Sequence, residues 1–300
     1  MQIYLNKKRV PKKVYIIFHT IILIGLIPMI ITCSSTRFIY TFADEFIKDE
    51  VKYFLDLNDN HKVLLNEQVS MMVKWHKTSM LPSYAEYLNS IADNLEDEQF
   101  SAIDINKIFK NGRFLIEETV TGIIPYVSKF LIQYQTVKNI EFMENSMLSR
   151  RQERILELSK TVDKLYEERL ERLVSNFERF FGDLNSSQKK LLQVHARETI
   201  NDSRIRLHNR TLRQKVFIRF LNTQPTEVEL TNFLNKLLLH GHMITNPSYE
   251  SFSEISLKKF HVLLLNMVAS SSIMQREKII SKLRGYAEDF KKVSSEEKQL

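Results

Sequence analysis

His76 follows Trp75 directly, with Lys77 next and Leu81-Pro82-Ser83-Tyr84-Ala85 just beyond. An imidazole is the side chain whose ordinary pKa lies nearest neutrality, so His76 is the first candidate for general acid or base work, as in a hydrolase. An architectural reading stands beside it. Neighbouring residues of a helix point about 100° apart, which lets Trp75 pack inward with Met71 and Met72 while His76 sits at the margin and pairs with a nearby acid or carbonyl. Trp75, His76, Leu81, Pro82 and Tyr84 are therefore singled out as one motif. His240-Gly241-His242 is the close histidine pair. Two imidazoles around a glycine can chelate a metal in a loop, but no acid or cysteine adjoins them, so no metal site is expected. Glu117 and Glu118 are adjacent and diverge on a helix. Ser270, Ser271 and Ser272 read as a turn. With no Gly-rich phosphate loop and no dinucleotide fingerprint, no cofactor is expected and the chain does not read as an enzyme.

Cys33 is the single cysteine in 300 residues, which excludes a disulfide framework and a cysteine-based metal site. Its thiol has a different use. Lys7, Lys8, Arg9, Lys12 and Lys13 precede an apolar run from Val14 to Ile31, and the cysteine follows. Basic, apolar, then cysteine is the layout of a bacterial lipoprotein signal, in which residues 1–32 are removed and Cys33 carries diacylglycerol. Ile30, Ile31 and Thr32 are bulkier than the small residues such a cut prefers, and Pro28 breaks the run. The alternative is an uncleaved anchor, since roughly 18–20 apolar residues span a bilayer. Either way the basic residues stay inside and the remainder faces outward. Ser34 and Ser35 after the cysteine lead to an expectation of the outer membrane, facing the periplasm.

The formal charge is +7, but residues 1–32 supply five of those positive charges. What remains gives little support to nucleic acid as a partner. The balance is uneven along the chain. Residues 41–120 hold fifteen acids against eight Lys or Arg, whereas 188–219 hold nine Lys or Arg against two acids. The basic stretch is either a solvated face paired with the acidic region, or a patch of Arg204, Arg206, Arg210 and Arg213 that meets anionic lipid, glycan or an acidic protein.

The elements that position these residues read as helices throughout. From Pro125 to Pro225 no further proline intervenes, and Gly182 is the one glycine. Within that span Ile155, Leu158, Val162 and Leu165, continued by Tyr166, Leu170, Leu173, Phe177 and Phe180, form one apolar stripe between charged flanks. The pattern predicts one or two long helices over 137–181, stopping at Gly182. Other helices are predicted over 38–55, 59–79, 83–95, 103–133 with a break near Pro125, 186–199, 202–222, 226–239, 250–270 and 272–292. Thr226 and Glu229 form a capping box. The fold class is all-α, an elongated bundle of amphipathic helices. Its regions are a signal over 1–32, an N-terminal helical region over 33–135, long central helices over 136–222, and C-terminal hairpins over 223–300.

Asp56-Leu57-Asn58 and Asp183-Leu184-Asn185 open two similar ten-residue stretches. Both read as a helix start with Asn as N-cap and Leu stapled to the first turn, or as a duplicated hairpin. Leu184 to Gln188 also resembles the Leu-Thr-x-x-Gln motif of small periplasmic helical chaperones, which implies a chaperone-like stress adaptor. A longer likeness runs through Cys33-Ser34, Arg37, Tyr40, Asp44, Leu55-Asp56-Leu57, Trp75-His76-Lys77 and Leu81-Pro82-Ser83-Tyr84-Ala85. It continues through Arg150, Arg151, Arg154, Arg169 and Arg172 to Gly182-Asp183-Leu184. Across roughly residues 33–222 the chain resembles a family of uncharacterised proteobacterial lipoproteins with a Trp-His-Arg…Glu-Leu-Pro-x-Tyr-Ala pattern. Lys77 stands here for the Arg and Met80 for the Glu, which removes one acid partner for His76. The resemblance implies an envelope location and a helical fold, and brings no activity. The expected role is a helical binding or scaffolding module for envelope proteins, anchored to the membrane by lipid.

Overall fold

The computed structural model describes residues 39–97 and 101–298, so the expected signal over 1–32 and Cys33 lie outside the described residues. The described residues form α-helices joined by short turns, with no strand among them. In chain order they are α1 Ala43–Phe54, α2 Asp59–Trp75, α3 Leu81–Glu96, α4 Ala102–Ile132, α5 Val137–Leu158 and α6 Val162–Phe181. There follow α7 Ser186–Glu198, α8 Asp202–Leu221, α9 Glu227–Leu239, α10 Ser248–Ala269 and α11 Ile273–Lys298. A π turn, His76–Met80, joins α2 to α3, and a 3₁₀ turn, Gly241–Ile244, follows α9.

The helix ends follow local chemistry. Asn58 and Asn185, the matched asparagines, both cap: their side chains accept from the backbone amides of His61 and Gln188. Thr226 and Glu229 close the expected box on α9. α6 ends at Gly182, whose φ of 75° suits a residue without a Cβ. The 137–181 pattern resolves into two helices, because Thr161 restarts the chain by capping Lys164. The split interrupts the stripe rather than ending it: Ile155 and Val162 beside it are exposed, while Leu158 is buried and Leu170, Leu173, Phe177 and Phe180 of α6 pack into the core.

Two predicted breaks are absent. α4 runs straight through Pro125. Both Pro125 and Thr121, whose carbonyl loses its helical donor, are exposed, so water can satisfy that carbonyl. α2 likewise does not end before Pro82. It passes through the π turn into α3, with Pro82 in the first turn after it.

Three apolar clusters hold the bundle together. The first gathers Leu65, Val69 and Val73 of α2, Ile124 and Phe130 of α4, Ile140 and Met143 of α5, Ile218 and Leu221 of α8, and Leu230 and Leu234 of α9. The second joins Ala92 and Leu95 of α3 to Phe177, Phe181, Leu192, Leu263, Met267, Ile279 and Leu283. Each draws on residues from 33–135, 136–222 and 223–300. The third lies where α3 and α11 pack along one another: Met80, Leu81, Tyr84, Ala85, Ala287, Phe290 and Val293, with Trp75, Tyr40 and Leu115 against it. Here the small residues Ala85 and Ala287, both fully buried, let the two helices approach closely.

Candidate functional site

The third cluster contains the Trp-His motif. In the π turn the amide of Leu81 donates to the carbonyl of His76, five residues back. Such a turn is one residue wider than an α turn, and it re-aims the side chains around it. Trp75 faces α4 at Gly122, and His76 enters the space between Tyr40, Tyr84 and Phe290. The Tyr40 and His76 rings stack with centroids 5.9 Å apart, and Tyr40 and Tyr84 each meet Phe290 edge-on at 6.5 and 6.1 Å. Leu81 is fully buried beneath the turn, and Tyr84 is nearly so.

Both ring nitrogens of His76 face hydroxyls. Tyr40 Oη lies 3.4 Å from Nδ1, and Tyr84 Oη lies 3.4 Å from Nε2. Tyr84 Oη also bonds to Thr119 Oγ1 of α4, and Thr119 Oγ1 donates to the carbonyl of Leu115 at 2.8 Å. This last bond sets the direction of the row, because a carbonyl only accepts. Thr119 spends its proton on Leu115, so Tyr84 donates to Thr119. Tyr84 can then only accept from His76, so His76 is protonated on Nε2. Nδ1 is left to accept from Tyr40. Burial supports the same state: it lowers the His76 pKa to about 4 and raises those of Tyr40 and Tyr84, keeping the imidazole neutral and both phenols protonated. His76 therefore pairs with two tyrosines rather than with the acid or carbonyl expected from sequence. Lys77 continues the anchoring. Its ammonium is 3.1 Å from Glu297 of α11, with both side chains largely covered.

The four arginines of the sequence patch do not share a face. Arg204 is bound within the protein, to Asn201 at 3.2 Å and to the carbonyl of Leu158 at 2.8 Å. Arg206 reaches Ser256 at 2.7 Å and Asp202 at 3.6 Å. Arg210 and Arg213 are half-buried on the Arg206 side of α8. The expected pairing of this stretch with the acidic region does not occur among the described residues. The acids of that region reach elsewhere: Glu50 to Arg150, Asp56 to Lys138, and Asp93 and Glu96 to Arg284.

His242 Nε2 lies 3.4 Å from Glu250, an acid that sequence proximity did not reveal, while His240 ends α9. No group of three or more His, Cys, Asp or Glu suited to a metal ion occurs among the described residues. No described helix is long and apolar enough to cross a membrane.

A family model, described as a family of unknown function (DUF6279), matches residues 52–249. The chain belongs to this family. No curated protein and no solved structure matches the chain. The DUF6279 match begins later and ends later than the span of 33–222 read from sequence, taking in α9 and the start of α10. It holds Trp75, His76, Tyr84 and Thr119, but stops short of α11. The helix that closes the motif through Phe290 and Glu297 thus lies beyond the DUF6279 segment. Tyr40, Thr119 and Phe290 were not found as partners of His76 from sequence. Their separations from it range from tens of residues to more than two hundred, and no spacing rule connects them.

Proposed function

We propose that this member of DUF6279 is a lipid-anchored helical module of the bacterial cell envelope that binds or scaffolds other envelope proteins. One observation carries the reading: the most reactive-looking residue of the motif, His76, has both ring nitrogens opposite tyrosine hydroxyls and is held neutral. A general base must meet substrate through a free nitrogen. His76 instead joins α2, α3, α4 and α11 around one point, and the outer faces of the helices are left to act. The order of basic residues, apolar run and Cys33 supports the anchor, the helices of the described residues support a helical module, and the family match leaves its task open.

Two measurements test it. Metabolic labelling with a radioactive fatty acid should mark the wild-type chain and not Cys33→Ala. In-cell crosslinking followed by mass identification should then capture a discrete envelope protein. Many unfolded clients in place of one partner would favour a chaperone. An unlabelled chain in the cytoplasmic fraction would overturn the envelope reading, and loss of a cellular phenotype in a stably folded His76→Ala would overturn the scaffold.

A further inference from the structure

α1 packs on α2, and a cleft of about 270 Å³ opens beside that contact, with the end of α11 on its border. Asp44 of α1, Ser70 and Lys74 of α2, Lys77 of the π turn and Glu297 of α11 supply its polar lining. Ser70 Oγ donates to Asp44 Oδ2 at 3.0 Å, and the Lys77 ammonium meets Glu297 at 3.1 Å. Val73 is buried and Met71 is 38% exposed, which gives the cleft an apolar side.

Lysines and acids balance around the cleft, so it offers no net charge to a simple anion or cation. What it offers is a pair of opposite charges. Lys77 and Glu297 neutralise each other, whereas Asp44 and Lys74 make no ion pair among the described residues. Ser70 and Lys74 are one helical turn apart, with Cβ atoms about 5–6 Å from each other. The carboxylate held at Ser70 and the exposed Lys74 ammonium therefore border one space. A ligand with an anion and a cation on a short linker matches both at once. The cleft also has a fixed place on the chain. Asp44 stands in the first turn of α1, and Cys33 precedes Ile39, the first described residue, by six positions. Even fully extended, that stretch spans at most about 21 Å. A lipid on Cys33 therefore holds this end of the bundle close to a bilayer surface.

We infer that this cleft docks the headgroup of a zwitterionic membrane phospholipid of the phosphoethanolamine class. Lys74 takes the phosphate, Asp44 takes the primary ammonium, and Met71 meets the glycerol. A primary ammonium donates hydrogen bonds to a carboxylate, whereas the trimethylammonium of a choline lipid has no N–H to donate. A lipid as the occupant rests on the anchor reading, since the Cys33 lipid is what brings a bilayer to the cleft. The contact gives the anchor a second point. A single tether leaves the bundle free to swivel, and a headgroup in the cleft sets its orientation at the surface.

The test is calorimetric titration of the full chain in dodecyl maltoside micelles with dihexanoyl phosphatidylethanolamine, corrected against protein-free micelles. Dihexanoyl phosphatidylcholine and phosphatidylglycerol are the comparison probes. Wild type should bind the ethanolamine lipid saturably, and each comparison lipid about tenfold more weakly or worse. Lys74→Gln should weaken binding of the ethanolamine lipid about tenfold, and Asp44→Asn should remove the preference over choline. Lys62→Gln takes an exposed lysine from the other end of α2 and should match wild type. Lys74 is exposed, so Lys74→Gln should melt as wild type does and carries the test if Asp44→Asn does not fold. No saturable binding, equal or tighter binding of either comparison lipid, undiminished affinity in Lys74→Gln, or an equal loss in Lys62→Gln would overturn the site. Fatty-acid labelling of Cys33 keeps the two readings apart. Labelling without binding overturns the cleft alone, and binding without labelling upholds the cleft and overturns the anchor.

Discussion

The indole of Trp75 lies where a side chain at residue 122 would have to go: a Cβ built on Gly122 would overlap Cζ2 and Cη2 of that ring. The fit between α2 and α4 thus requires a large flat side chain on one and none on the other. Gly122→Ala should destabilise the protein by about 1–3 kcal/mol, because overpacking outweighs the roughly 1 kcal/mol that alanine gains in helix propensity. Trp75→Ala should cost about 3 kcal/mol or more. In the double variant alanine at 122 no longer meets the ring, so the combined loss should fall short of the sum. Denaturant unfolding of the four proteins checks this, and strict additivity would mean the two residues are not coupled.

The row from Tyr40 to Leu115 predicts unequal costs for removing its hydroxyls. Tyr84→Phe deletes the oxygen that serves both His76 and Thr119, and should cost about 1–3 kcal/mol because buried polar groups lose partners. Tyr40→Phe removes only the donor to Nδ1 at the far end and should cost less. Equal costs, measured by thermal or denaturant unfolding, would contradict the bridging place of Tyr84 between His76 and Thr119.

Stability should depend on pH through His76. The folded pKa, about 4, lies below the ordinary histidine value near 6.5, so the unfolded chain binds the extra proton across that interval. The contribution of His76 is fully present above about pH 6.5 and is lost as the pH falls toward 4. It amounts to up to about 3 kcal/mol. Burial lowers the pKa of His195 and His261 as well, so they act in the same sense. A His76→Phe variant should therefore show a shallower loss of melting temperature between pH 6.5 and 4 than wild type.

A second joint lies between α7 and α11. Gln188, fully buried, and Gln275 exchange side-chain hydrogen bonds at 3.0 and 3.1 Å. They also donate to the carbonyls of Ser270 and Asp183. Gln275→Ala should cost about 1–3 kcal/mol by leaving part of Gln188 unpaired. A cost no larger than that of an exposed neighbour such as Lys278→Ala would show that the pair is not needed.

Much of the helical layout was legible because its signals are local. Asn58, Asn185, Thr226 and Gly182 act within a turn of themselves, and their residue types carry the message. The passage from α2 to α3 was hidden. A π turn has no marker residue, and Pro82 signals a break equally well when a helix runs through it. The motif was visible as Trp75, His76, Leu81, Pro82 and Tyr84, but its meaning was not, since Tyr40, Thr119 and Phe290 reach it only through tertiary packing. The arginine patch was half visible. The residues of α8 stood out as a run, but only helical periodicity sets Arg204 apart from Arg206, Arg210 and Arg213.

The central claim is that His76 is an architectural imidazole, neutral and protonated on Nε2. Nitrogen-15 correlation spectra of the histidine side chains, followed through a pH titration and assigned with His76→Phe, read both the tautomer and the pKa. The account predicts an Nε2–H ring that stays neutral until the pH approaches 4. An Nδ1–H ring, or titration near 6.5, would mean that His76 is free of the tyrosine row and available for chemistry.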